Sequence, residues 1–210
     1  MNPIQNFWHQ FEKVNLAVHL LGDLPKEVAI KKLQVITDAL HEYNEKLGFE
    51  IKSLKNKSEL IITAHGNPYL FKEVELLVFH APALERWKIT AFIQPDTDID
   101  IFESKKDKPI IYNGITLRVS DMYFIPYEIP QRPTDFGIKV LIKNYLVYKD
   151  NPALREAVYL HIENLVGEKS FANNITFIEI GQLNLDNQKD EEEPLDLYNL
   201  KFYMNYIGLE

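Results

Sequence analysis

The alternation of apolar and polar residues between Ser58 and Pro95 predicts strand, turn, helix, turn, strand. Leu60, Ile62 and Ala64 alternate with Ile61 and Thr63, so the first strand is apolar on both faces and belongs near the middle of a sheet. Gly66-Asn67-Pro68 breaks it. Asn67 then reads as a helix N-cap with Pro68 at the first helical position, where its missing N–H costs nothing. Leu70, Val74, Leu77, Val78 and Ala81 recur at three- and four-residue steps and predict a helix that Pro82 ends. Trp87, Ile89, Ala91 and Ile93 share one face of the next strand, which Pro95 stops.

The same reading extends in both directions. Phe7, Trp8, Phe11, Val14, Val18 and Leu21 predict a first amphipathic helix from Asn6 to Leu21. Leu33, Ile36, Leu40, Tyr43 and Leu47 predict a second from Pro25 to Leu47, with Gly48 as its stop. Phe49 and Ile51 alternate with Glu50 and Lys52, and the polar stretch from Lys55 to Ser58 returns the chain as a hairpin. Asp96 to Asn113 is a polar connector with room for a short edge strand, and it marks the boundary between two parts. Beyond it, Ile115 to Val119, Met122 to Ile129 and Phe136 to Leu146 read as strands, with Pro130 and Pro133 in the loop before the last. Asn151-Pro152 repeats the device of Asn67-Pro68, ahead of a helix whose stripe is Leu154, Ala157, Val158, His161, Ile162 and Leu165 and whose stop is Gly167. The strand from Ile175 to Ile180 sets Ile175, Phe177 and Glu179 on one face. From Pro194 to Gly208 two readings stay open: Leu195, Tyr198, Phe202 and Tyr206 step as in a helix, while Leu200, Phe202, Met204 and Tyr206 alternate as in a strand.

The expected architecture is therefore α+β: a mainly antiparallel sheet with helices on one face, two similar strand-strand-helix-strand halves and an N-terminal helical pair. Residues 1–95 form the first unit and 114–210 the second, packed as one globular body. Length and composition agree, since 210 residues with 46% hydrophobic and 12% aromatic content can bury a full core. No apolar run approaches a membrane span, and the opening MNPIQNFWHQFEK lacks the charged-then-apolar order of a signal peptide, so a soluble cytoplasmic protein is expected. The absence of cysteine removes disulfides, thiolate metal sites and thiol nucleophiles. The net charge of −8 is concentrated: Asp186, Asp190, Glu191, Glu192, Glu193 and Asp196 face a single Lys189. With no cluster of Lys and Arg, neither nucleic acid nor an anionic membrane is the expected partner.

Three stretches, FWHQF, ELIITAHGNPYLF and VELLVFHAPALERWKITAFIQP, resemble a widespread set of uncharacterised bacterial proteins that share the Phe-Trp opening and the Ala-Pro-x-Leu-x-x-Trp turn. The resemblance covers roughly the first hundred residues and implies a bacterial origin and no particular activity.

Several constellations carry candidate chemistry. Asp96, Asp98, Asp100 and Glu103 alternate as a hard-cation loop would, but the turn glycine and the later bidentate Glu are missing, which leaves a charged, solvated strand edge or linker. His65 and Asn67 stand at the end of the central strand, where open sheets often place ligand sites. A small hydrolase or transferase built there would need a carboxylate such as Asp121 or Asp135 near His65. His80 and His161 lie on apolar helix faces and read as partly buried structural residues. Met122 to Asp135 is the most unusual surface candidate: Tyr123, Phe124 and Tyr127, with Glu128, Arg132 and three prolines, would make a fairly rigid amphipathic platform that includes residue types enriched at binding hot spots. The leading expectation is a non-enzymatic binding or interaction module that takes another protein or a second copy, with no cofactor and no metal. The acidic run from Asp186 to Asp196 supports a different reading, a neutralising partner of a basic protein.

Overall fold

The computed structural model describes residues 1–96, 98–128, 136–184 and 193–209. The chain is α+β and divides into two compact units, Met1–Ile93 and Gln94–Glu210.

The first unit runs α1 (Pro3–His19), α2 (Lys26–Tyr43), β1 (Gly48–Ser53), β2 (Ser58–Thr63), α3 (Phe71–Phe79) and β3 (Trp87–Ala91). A capping box starts α1: Asn2 Oδ1 accepts the Gln5 N–H at 2.8 Å, and the Gln5 side chain accepts the Asn2 N–H. β1 and β2 form the antiparallel hairpin, and β2 continues through α3 to a parallel β3, giving the order β1-β2-β3. Every residue of β2 is buried, as its two apolar faces require. In register, Ser58, Leu60 and Ile62 share a face with Trp87, Ile89 and Ala91. α1 lies on that face, with the Phe11 ring edge-on to Trp87 at 4.9 Å and His19 Nδ1 2.8 Å from Ser58 Oγ. The Trp8 indole N–H donates to the Leu77 carbonyl at 2.9 Å and ties α1 to α3. Tyr43 at the end of α2 donates to the Glu73 carboxylate at 2.9 Å; burial, and then this carboxylate, push the phenol well above its usual range.

The second unit contains α4 (Ile99–Glu103), the hairpin β4 (Ile110–Tyr112) and β5 (Ile115–Leu117), β6 (Met122–Glu128), β7 (Phe136–Ile142), α5 (Tyr145–Tyr148), α6 (Leu154–Val166), α7 (Glu168–Asn174), β8 (Ile175–Gln182), β9 (Leu195–Asp196) and α8 (Leu200–Tyr206). Its larger sheet has the order β8-β7-β6-β9, parallel between β7 and β8 and antiparallel elsewhere. Phe124, Ile138, Val140 and Ile142 on one face of that sheet join Val158 and Ile162 of α6 and Leu200 and Met204 of α8 in a single apolar cluster.

The two units share a topology. β1, β2, α3 and β3 on one side, and β6, β7, the α5–α7 segment and β8 on the other, have the same strand order and the same antiparallel-then-parallel sense. The Asn-Pro turns match in detail. Asn67 Oδ1 accepts from Tyr69 N at 3.1 Å and Asn151 Oδ1 from Ala153 N at 3.0 Å, while each Asn carbonyl accepts the N–H three residues on at 3.0 Å.

Local departures from the sequence pattern have local causes. Because Asn67 caps Tyr69 and its carbonyl takes the Leu70 N–H, residues 68–70 form a 3₁₀ turn and α3 starts only at Phe71. It ends at Phe79, before Ala81, whose position ahead of Pro82 disfavours helical backbone. The strand expected to reach Leu146 stops at Ile142, and Tyr145–Tyr148 wind as α5. The expected connector from Asp96 to Asn113 holds α4 and β4 and belongs to the second unit, where α4 buries Phe102. Gly167, at φ 86°, turns the chain from α6 directly into α7, which the pattern did not predict. Residues 194–208 use both open readings in succession, β9 and then α8. His161 is fully buried, with Nδ1 2.7 Å from the Ala157 carbonyl and Nε2 3.2 Å from the Leu117 carbonyl. His80 is a correction: it caps α3 on an exposed surface, its ring against Phe79 and its Nδ1 2.9 Å from the Leu76 carbonyl. No helix among the described residues is long and apolar enough to cross a membrane.

Candidate functional site

β6 alternates sharply. Met122, Phe124 and Pro126 are in register with the core-facing Ile142, Val140 and Ile138, which sends Tyr123, Ile125 and Tyr127 to the opposite face of the sheet. That face, called open for the exposed Tyr127 and Phe177 at one end although Leu141 in its third row is buried, is built in rows across three strands. Tyr127, Gly137 and Phe177 form one, Ile125, Lys139 and Glu179 the next, and Tyr123, Leu141 and Gly181 the third.

The first row is aromatic and exposed. Tyr127 and Phe177 stand edge-to-face with centroids 6.2 Å apart and are 38% and 47% exposed. Gly137 lies between them without a side chain, and a Cβ there would come 3.3 Å from both Cβ and the carbonyl of Phe177. The second row is ionic: Lys139 Nζ is 3.0 Å from Glu179 Oε1, and the Lys139 stem runs over Gly181, where a Cβ would stand 3.2 Å from its Cε. Beside the third row, Asp196 of β9 pairs with Tyr123 and accepts the Tyr198 hydroxyl at 3.0 Å. Burial first, then that bond and the charges of Asp196 and Glu103, push the Tyr198 phenol up to about 12.

A groove flanks this face along β8, the outermost strand. It is a cavity of about 460 Å³ walled by Tyr145, Lys149, Arg155 and Tyr159 on the helical side and by residues 176–180 on the strand side. Arg155 Nε donates to the Tyr159 hydroxyl at 2.8 Å, and its guanidinium carbon lies 5.1 Å from that ring's centroid, so the cation is held in place by its own helix.

Of the residues singled out from sequence, Tyr123 and Tyr127 share the open face, two rows apart, whereas Phe124, expected beside them at the surface, alternates to the core face and is buried. Glu128 closes β6 opposite Phe136, and Arg132 lies outside the described residues, as does Asp135. His65 and Asn67 belong to the first unit. His65 is exposed, holds a left-handed φ of 51°, and lays its ring against Gly48, where an added Cβ would stand 2.4 Å from Nε2. Its ring makes no hydrogen bond to a carboxylate among the described residues, and Asn67 is occupied with its turn. Asp121 sits 3.5 Å from Lys143 Nζ, beside a smaller cavity of about 240 Å³. Asp98 N donates to Asp96 Oδ1, and no group of three or more potential metal-ligating side chains converges among the described residues. Sequence reasoning placed Phe177 and Glu179 on one strand face without joining them to Tyr127. The joining depends on register between β6, β7 and β8, which is set by long-range pairing. Lys139, Arg155 and Tyr159 gave no signal, because a charge on a strand or a Tyr four residues after an Arg is ordinary.

Neither a family model, a curated protein nor a solved structure matches the chain.

Proposed function

We propose that the chain is a non-enzymatic binding module that engages another protein through the open sheet face of its second unit. The observation that carries this reading is the Tyr127–Phe177 pair, two large aromatic side chains kept partly in water over a glycine. A folded chain gains by burying such rings, at roughly 1.5–3 kcal/mol for a Phe-sized side chain. Leaving two of them exposed in contact is the arrangement expected of an anchor that a partner covers. The Lys139–Glu179 pair beside them supplies a polar surround suited to excluding water from the anchor.

The test is photo-crosslinking from a benzoylphenylalanine placed at Phe177, with the same probe at the exposed Phe202 of α8 as control. A discrete protein adduct from position 177 that disappears in a Tyr127→Ala background is the expected result. Adducts of equal yield from both positions, or none from 177, overturn the reading.

A further inference from the structure

We propose that the free edge of β8, together with its flanking groove, takes an extended peptide segment of alternating acidic and apolar residues as an added strand. This deepens the binding-module reading and rests on it.

β8 is eight residues long, contains no proline and is outermost in its sheet among the described residues. Soluble proteins usually guard such an edge with charge, proline, a bulge or a covering element. Here the one charged side chain of β8, Glu179, is engaged by Lys139 on the open face, and the β7–β8 irregularity lies at the far start of the strand, between Phe136 and Gly137. The other edges of the two larger sheets differ. β1 carries Glu50 and Lys52, β3 begins with the buried Trp87 and the exposed Lys88, and β9 is two residues long. The hydrogen-bond phase of β8 is set by Leu183, whose N–H bonds the Ile142 carbonyl. By two-residue alternation back to the irregularity at the start of the strand, the main-chain groups of Ile178 and Ile180 point to the free edge.

The groove selects the chemistry. Lys149 and Arg155 wall it, and neither meets a carboxylate among the described residues, in a chain where 31 acids outnumber 23 bases. Arg155 is already oriented by Tyr159, so a carboxylate reaching it gains charge-assisted hydrogen bonds at little ordering cost. Side chains of an added strand alternate between the two faces of the sheet. Those on the groove side meet Lys149 and Arg155 and are acidic; those on the open side lie beside Phe177 and are apolar. Main-chain bonds to Ile178 and Ile180 supply affinity, and the groove supplies selection.

The experiment titrates the isotope-labelled full chain with a capped heptapeptide, Thr-Val-Glu-Val-Glu-Val-Thr, and with its Lys-for-Glu counterpart, following amide exchange residue by residue. The expected result is slowed exchange at Ile178 and Ile180 with the Glu peptide, and binding weaker by about tenfold with the Lys peptide. Arg155→Glu reverses the preference, and an unchanged melting temperature shows that the fold is intact. Equal binding of both peptides, or exchange changes away from β8, overturns the proposal. So does a dimer by light scattering whose Ile178 and Ile180 amides are already protected, because the occupant is then a second copy. A protein adduct at position 177 combined with unprotected β8 amides leaves the binding reading standing and removes strand addition alone.

Discussion

Glu59 shows how one residue can bind pH to stability in this chain. Its carboxylate is buried in β2, 2.7 Å from Lys88 Nζ, and accepts the Thr90 hydroxyl. Burial alone would raise its pKa, but the bonds from Lys88 and Thr90 and the charges of Lys88 and Lys52 outweigh it and hold the group below its ordinary value of 4.5. The unfolded chain therefore takes up this proton first as pH falls. The stabilisation is complete above 4.5 and is lost below it as the folded carboxyl in turn becomes protonated. Urea denaturation at about pH 7 and about pH 3 is expected to show the advantage of the wild type over Glu59→Gln shrinking at the lower pH. The alternation that marked β2 as central did not signal this pair, because Glu59 reads as a solvent-facing residue until its neighbours across the sheet are known.

At the scale of elements, the two Asn-Pro turns are the parts that the sequence announced most directly. Each Asn oxygen satisfies the second N–H after it, and each proline removes a donor where a helix entry has none to bond. Asn67→Ala and Asn151→Ala are each expected to lower the unfolding free energy by about 1 kcal/mol, within the usual range for a lost cap, measured by chemical denaturation. The turns and strand existence were legible because Asn, Pro and Gly act on the backbone within a few residues. Helix starts were less so: Pro68 marks the entry, yet three residues of 3₁₀ backbone precede α3. Short elements such as α5 and α7 left no periodicity to read, each spanning at most two turns. The open face was half legible, Tyr123 and Tyr127 from composition and Phe177 from alternation. What joined them was cross-strand register, a property of the sheet and not of any one segment.

At the scale of the molecule, the recurrence of strand, strand, helix, strand gives each unit a central strand bonded on both sides, antiparallel to one neighbour and parallel to the other. The second unit also has an apolar cluster drawn wholly from its own residues. Residues 94–210 produced alone are therefore expected to fold, which the dispersion of amide and methyl resonances would check; a collapsed spectrum would show that the cluster needs the first unit. That fragment would also be spectroscopically silent in one respect. The chain has two tryptophans, Trp8 and Trp87, and both are buried in the first unit within ring contact of Phe11. Indole emission from the intact protein thus reports the environment of α1 and β3 alone. A denaturant titration followed by fluorescence and by far-ultraviolet dichroism together then carries its own label: any gap between the two curves measures the unit that has no indole.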